Sequence, residues 1–321
     1  MLNDLDYSIG VDIGGTNIKF GLVDKQGKII KKQIYPFNKE VASNEVIIDL
    51  GKRINEFLSV NKIDKDSVKE IGIGCPGSID STLGICDYSN NIKFKDVHLV
   101  DIIQKITGLK AKASNDANVA CLGEAKFGTY RNYQNIVFLT LGTGVGGGLV
   151  LNGLLYEGKN GKGAELGHSL LKINGRKCTC GRRGCLEAYA SATALIKDTK
   201  RSMRKHPDSL LWKMVSNDIT KVEAKTVFDA CQKKDPTATE LIDHYIYYLG
   251  EGIINFINIF KPDVILLSGG ISKQGTLLTK PLNEYIQRQH YGFGGGPQVE
   301  IKISTLGSDA GIIGASALFN S

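Results

Sequence analysis

No stretch of the 321-residue chain approaches the roughly 20 consecutive apolar residues a membrane-spanning helix needs, which argues against a membrane protein. The opening residues, MLNDLDYSIG, lack the basic start and following apolar run of a secretory signal, so a reducing, cytoplasmic location is expected. Seven cysteines are an odd number, and Cys75, Cys86, Cys121 and Cys231 are scattered, so no disulfide framework is expected. No aromatic residue interleaves with the one local basic cluster, Arg176, Lys177, Arg182 and Arg183, so the stacking platform of a single-strand nucleic-acid binder is missing. The remaining composition, 42% hydrophobic and 23% charged, is that of an ordinary globular protein, and the length favours two domains over one. The net charge of +7 is mostly lysine spread along the chain. That pattern describes a solvated surface whose field favours anionic substrates, not a nucleic-acid footprint.

The other three cysteines are concentrated. His168, Cys178, Cys180 and Cys185 are spaced His-x9-Cys-x-Cys-x4-Cys in a glycine-interrupted segment. One imidazole and three thiolates complete the tetrahedral shell of a structural zinc site. In a reducing compartment clustered cysteines are more often metal ligands than disulfides, although the single residue between Cys178 and Cys180 is tighter than the usual pair. Glu165 and Glu187 bracket the cluster, and neither is spaced as a ligand.

Two glycine turns divide β-rich runs. Residues 7–23 enter a turn at Gly14, Gly15 and Thr16 and leave it through Asn17; residues 136–152 repeat the design around Gly142, Thr143 and Gly144. Each reads as a hairpin. Successive backbone N–H groups in such a turn can cradle a phosphate, and Asp12, just before the first turn, could hold a magnesium ion. Taken singly, each turn is weak support for a ligand. Neither is a Walker A loop, because no Gly-Lys-Ser/Thr follows, and the second does not open a helix as a dinucleotide fold requires. The recurrence suggests two similar halves suited to a nucleoside triphosphate.

Elsewhere the pattern alternates. Helices are expected over 44–60, 116–127 (capped by Asn115 or Asp116), 188–205, 240–260 and 309–319. Strands are expected over 69–74, ending in the Cys75-Pro76-Gly77 turn, and over 264–268, running into Gly269 and Gly270. Such alternation implies a largely parallel sheet in each half. The glycine-rich run at 292–296 reads as a connection with no derivable role.

Taken in order, Asp12-Ile-Gly-Gly-Thr16, Gly74-Cys-Pro-Gly77, Asn115-Asp116, Leu141-Gly-Thr-Gly-Val-Gly-Gly-Gly148, Glu165-Leu-Gly-His168 and Cys178-x-Cys180-x4-Cys185-Leu-Glu187 resemble the ROK family of bacterial sugar kinases and related repressors. The similarity covers nearly the whole chain and is closest to the ROK glucokinases of Gram-positive bacteria. It implies an α/β fold of actin-like, hexokinase type (ribonuclease H-like), with two lobes around a cleft that close on sugar. The expected division is a smaller lobe of 1–115 plus 309–321 and a larger lobe of 116–308 carrying the zinc site.

The resemblance also implies roles. Asp116 would be the base that accepts the proton of the sugar 6-hydroxyl. Asn91 (with Asn90 beside it), Asn115, Glu165, His168 and Glu187 would bind the other hydroxyls. Asp12 would position Mg2+, the turns at Gly14, Gly15, Thr16, Asn17 and at Gly142, Thr143, Gly144 would hold the phosphates of ATP, and Gly269 and Gly270 would lie against its adenosine. His168 would give one ring nitrogen to zinc and the other to sugar. Carboxylates and amides suit a ring of hydroxyls because directional, charge-assisted hydrogen bonds suit groups that both donate and accept. Alone, Asp116 reads as a helix cap and Glu187 as a first-turn acid; their order in the pattern favours the sugar roles.

The expected activity is ATP-dependent phosphorylation of glucose at its 6-hydroxyl by a homodimer. The alternatives are N-acetylmannosamine, N-acetylglucosamine, fructose, allose or a β-glucoside as the sugar. A sugar-responsive regulator is disfavoured because the first strand begins by about Tyr7, leaving no room for a helix-turn-helix ahead of it. A zinc-containing nucleic-acid module is the other competing class.

Overall fold

The computed structural model describes residues 7–289 and 299–320, so the run at 292–296 lies outside the described residues. The chain divides into two compact units, one of Met1–Gln134, Gly148–Ala164 and Thr305–Ser321, the other of Asn135–Gly147 and Glu165–Ser304.

In the first unit the expected hairpin forms. β1 (Tyr7–Ile13) pairs antiparallel with β2 (Asn17–Val23), which puts Lys19 directly opposite Asp12. β3 (Ile29–Pro36), β4 (Val68–Cys75) and β8 (Lys110–Asn115) complete a sheet of order β3-β2-β1-β4-β8. The β1–β4 and β4–β8 pairs are parallel, but β1–β2 and β2–β3 are antiparallel. This corrects the expectation of a largely parallel sheet: short turns return the chain antiparallel, and only the helical crossovers make parallel neighbours. One such crossover is α1 (Ser43–Val60), which buries Val46, Ile47, Leu50, Ile54 and Phe57 at the spacing of one helix face.

Between β4 and β8 lie three short strands that the sequence reading did not separate, β5 (Ser78–Asp80), β6 (Ile85–Ser89) and β7 (Phe94–His98), followed by α2 (Leu99–Thr107). They form a small antiparallel sheet of their own.

The C-terminal helix, α10, spans Ala310–Ala315 only, and the expected continuation to Phe319 is a turn and a 3-10 segment at Leu318–Asn320. It packs against the sheet at backbone range. A Cβ added to Gly10 or Gly72 would fall 1.8 or 1.7 Å from the carbonyl oxygens of Ile312 and Ala315. It also packs on α3 (Asp116–Phe127), where a Cβ at Gly314 would overlap the carbonyl of Val119. That packing explains why 116–134 folds with the first unit rather than with 116–308 as expected. Gly148–Ala164 joins it too: Ser114 and Ser81 both donate hydroxyl hydrogen bonds to Glu157.

A second sheet has the order β11-β10-β9-β12-β13, built from β9 (Ile136–Leu141), β10 (Val145–Leu151), β11 (Leu154–Leu155), β12 (Val264–Ser268) and β13 (Glu300–Ile303). The division between the units falls inside β10. β12 runs parallel to both β9 and β13, and Val264–Leu267 are fully buried between them.

The helix expected over 188–205 is two helices. α4 (Glu187–Ala190) ends at Ser191, whose backbone is extended (φ −80°, ψ 160°) and whose hydroxyl caps α5 (Ala192–Met203) by accepting from the Ala194 amide. Helix propensity gives way there to a local cap, the usual preference of serine. α6 (Leu210–Met214) and α7 (Ala224–Gln232) lead to α8 (Pro236–Phe260), which starts four residues before the expected point because Asp235 caps it and Pro236 suits its first turn. α9 (Thr276–Gln289) follows β12. Among the described residues no helix is long and apolar enough to cross a membrane.

Candidate functional site

The second unit gathers His168, Cys178, Cys180 and Cys185 so that their ligand atoms all lie within 4.8 Å of one another. Two local features do this. A pair of isolated bridges, Leu170 to Cys185 and Lys177 to Arg183, folds the segment back on itself. A tight turn, in which the Cys178 amide donates to the Arg182 carbonyl and the Gly181 amide to the Cys178 carbonyl, brings Cys178 beside Cys180.

The separations fit zinc. Zn–S and Zn–N bonds of about 2.3 and 2.05 Å put tetrahedral S···S and S···N edges near 3.8 and 3.6 Å; Cys180 Sγ to Cys185 Sγ is 3.7 Å and Cys178 Sγ to His168 Nδ1 is 3.6 Å. Cys178 and Cys185 are buried and Cys180 is exposed. Burial pushes the Cys178 thiol up to about 12, and the Glu187 carboxylate adds to the effect. A divalent cation would supply the charge that holds such a thiol as thiolate.

Glu187 ties this loop to the second glycine turn. Its Oε2 accepts from the Val145 amide at 3.1 Å, while Oε1 accepts from Thr179 Oγ1 at 2.8 Å and from the Cys178 thiol at 3.4 Å. Gly144 has to be glycine for this contact, because a Cβ would sit 2.3 Å from Glu187 Oε2. The start of α5 fixes the same turn: the Ala192 amide donates to the Gly142 carbonyl and Thr193 Oγ1 to the Thr143 carbonyl. Desolvation by its surroundings raises the pKa of the neighbouring Glu165; His168 opposes that shift and Glu187 reinforces it. The structure therefore brings Glu165, His168 and Glu187 to one place, beside the metal-ligand cluster. Gly269 follows β12 with φ +87°, its backbone against that of Leu141, and its carbonyl accepts from Ser272 Oγ.

In the first unit Asn115 caps α3. Its Oδ1 accepts from the Ala117 and Asn118 amides at 2.9 and 3.4 Å, and its Nδ2 donates to the Gly77 carbonyl at 3.0 Å. The amide thus holds the Cys75-Pro76-Gly77 turn and the start of the helix together, with Asp116 as the first helical residue. Asp116 Oδ1 accepts from the Ala117 amide at 2.9 Å. Asn91 lies in the exposed turn between β6 and β7. At the first glycine turn the Gly14 amide donates to the Asn17 carbonyl, and the Phe37 amide to that of Thr16.

Asp12 Oδ2 accepts from Lys19 Nζ at 3.0 Å, and the same ammonium donates to the Ser308 carbonyl at 3.2 Å. The hairpin itself signals Lys19: a turn closed at 14–16 places residue 19 across from residue 12. Thr179 and Thr193 carry no local sequence signal, and only their tertiary contacts reveal them.

The chain belongs to the ROK family, whose sequence pattern matches residues 8–321. It is 40% identical over 315 residues to the glucokinase of Thermotoga maritima, covering 97% of this chain and 96% of that one. It is 30% identical to the xylose repressor of Bacillus spizizenii, covering 97% of this chain and 76% of the repressor. Among solved structures, the ROK family glucokinase of Streptomyces griseus in complex with glucose and AMPPNP superposes with a TM-score of 0.82 at 29% identity, covering 97% of this chain and 98% of that one. The fold is accordingly the two-lobed, actin-like, hexokinase-type α/β fold.

Proposed function

We propose that this protein is an ATP-dependent kinase that transfers the γ-phosphoryl group of ATP to the 6-hydroxyl of glucose. The observation that carries the reading is full-length similarity to glucokinases, together with the Glu165, His168 and Glu187 group beside the four clustered His and Cys side chains. In this reading Asp116 accepts the proton of the 6-hydroxyl as the oxygen bonds to the γ-phosphorus and ADP leaves. Phosphoryl transfer asks little covalent work of the protein beyond an in-line hydroxyl, a proton acceptor and electrostatic cover for the phosphates.

Asn91, Asn115, Glu165, His168 and Glu187 are the proposed sugar ligands. Asn115 and Glu187 also hold their surroundings through the hydrogen bonds described, so each would position neighbours as well as touch substrate. Asp12 would hold Mg2+ or its waters, exchanging the Lys19 ammonium for the metal and leaving that cation for a phosphate oxygen. When bound, Mg2+ supplies positive charge to the transferring phosphate. The amides of the turns at 14–17 and 142–144 would cradle the phosphates, and Gly269 and Gly270 would let the adenosine lie against the backbone.

Zinc would be held by His168 Nδ1, Cys178, Cys180 and Cys185, with a structural role. The histidine's Nε2 would remain for a sugar hydroxyl, its tautomer set by the metal. Cytoplasmic location and assembly as a homodimer belong to the same proposal; light scattering at size exclusion checks the second.

A regulator is the second reading, favoured by the repressor similarity. An ADP-release assay over a panel of hexoses separates the two: the kinase reading expects turnover with glucose above fructose and the N-acetylhexosamines. Sugar-dependent DNA binding without ADP release would support the regulator.

A further inference from the structure

A cavity of about 300 Å³ opens in the second unit between α5 and α8, and its lining includes none of the glycine turns and none of Glu165, His168 and Glu187. That volume is at the lower end of small-molecule sites. Its floor is aromatic: Tyr189 and Tyr245 are buried, and Tyr189 and Tyr248 pack with ring centroids 4.7 Å apart. Over these two rings lies the Arg176 guanidinium, 4.6 Å from the Tyr189 centroid and 5.8 Å from that of Tyr248.

The charge around the cavity is unbalanced. Arg176 and Arg201 both lean on one carboxylate, Asp198, at 2.7 and 3.5 Å. Lys205 lines the same space with no carboxylate in ion-pair reach among the described residues, and the opposing acid, Glu240, is exposed at the rim. The C-terminal end of α5 would ordinarily repel an anion, but its last two carbonyls are occupied. Ser202 O accepts from the Lys205 and His206 amides, and Met203 O from the Trp212 indole at 2.9 Å. Two guanidiniums sharing a carboxylate beside a spare ammonium, above aromatic faces, suit a doubly charged oxyanion carried on a ring.

We propose that this cavity is a binding site for a phosphomonoester, with Arg176, Arg201 and Lys205 holding the phosphate and Tyr189 and Tyr248 facing the group it is attached to. The site is tied to the metal-ligand loop: Arg176 Nη1 donates to the Ala188 carbonyl at 3.3 Å, and its backbone amide donates to Tyr189 Oη at 2.8 Å. The cavity therefore lies behind the segment that carries Cys178 and Glu187. The inference concerns binding alone and stands whether or not the kinase reading holds.

Trp212, the one tryptophan, lies outside the lining of the cavity, so binding is followed by titration calorimetry, which needs no reporter side chain. The test titrates zinc-loaded, full-length protein, without nucleotide or sugar, with inorganic phosphate, hexose 6-phosphate and a nucleoside monophosphate. The comparison is with the double variant Arg201→Ala/Lys205→Ala and with Ser202→Asp, which plants a carboxylate in the cavity. The expected result is a saturable, salt-sensitive change that weakens at least about tenfold in both variants, as loss of charge-assisted hydrogen bonds requires. Equal binding of all three probes would mean the site reads phosphate alone, and tighter binding of one ester would mean the tyrosines read its ring; both uphold the proposal. Absence of a saturable change, or titrations that neither variant alters, overturns it.

Discussion

Asp116 owes its place to its neighbour. Asn115 caps α3 with its Oδ1 and gives one Nδ2 hydrogen to the Gly77 carbonyl, so the next residue leaves β8 at a fixed angle as the first of the helix. A carboxylate held this way is a suitable proton acceptor because its position does not depend on substrate. Asp116→Ala is expected to keep glucose and ATP binding within a few-fold while kcat falls by about 10³ or more, the scale of a lost general base; steady-state kinetics with a direct sugar-binding titration checks it.

A buried acid, Glu124, acts on stability. Glu124 is fully buried on α3, accepting from the Leu306 amide at 2.7 Å and Thr305 Oγ1 at 3.0 Å. Burial raises its pKa above the ordinary carboxylate value, and those hydrogen bonds oppose the shift without cancelling it. The folded protein then holds this proton more tightly than the unfolded chain. The associated stability is present below the unfolded pKa and is lost as pH rises through the folded one. Urea unfolding from about pH 4 to about pH 7 should lose more stability in the wild type than in Glu124→Gln.

Among the elements, the metal-ligand loop, α4 and the start of α5 act together. Glu187 opens α4 and reaches both the Val145 amide and Thr179; Ser191 breaks the helix so that Ala192 and Thr193 can hold the glycine turn. A metal held by four ligands would add order to this loop. Cys178→Ser and Cys180→Ser are each expected to lose bound zinc and to weaken glucose binding together, by about tenfold or more. Metal analysis beside a sugar titration checks the pair; a zinc-free variant with unchanged glucose affinity would separate the loop from substrate recognition.

Much of this level was legible in the sequence. Both hairpins, α1, α3 and the His168–Cys185 cluster follow from periodicity, glycine turns and ligand spacing. What was not legible depended on distant partners. The division of 188–205 at Ser191 follows from the glycine turn that α5 must meet. The early end of α10 and the transfer of 116–134 to the first unit follow from backbone-range packing at Gly10, Gly72 and Gly314. No local pattern announces such contacts.

At the scale of the molecule, membership of the ROK family and the hexokinase-type fold set the frame, but relatives that share them are named both glucokinases and xylose repressors. Fold alone does not choose between catalysis and regulation. The choice rests on whether the chain moves a phosphoryl group, and to which oxygen. The most direct measurement incubates the protein with glucose, ATP and Mg2+ and follows ADP by enzyme coupling and the sugar by phosphorus-coupled NMR. The account predicts one ADP per glucose consumed, with phosphate on O6. ATP hydrolysis without a sugar phosphate, phosphate on another oxygen, or no glucose-dependent ADP would contradict it.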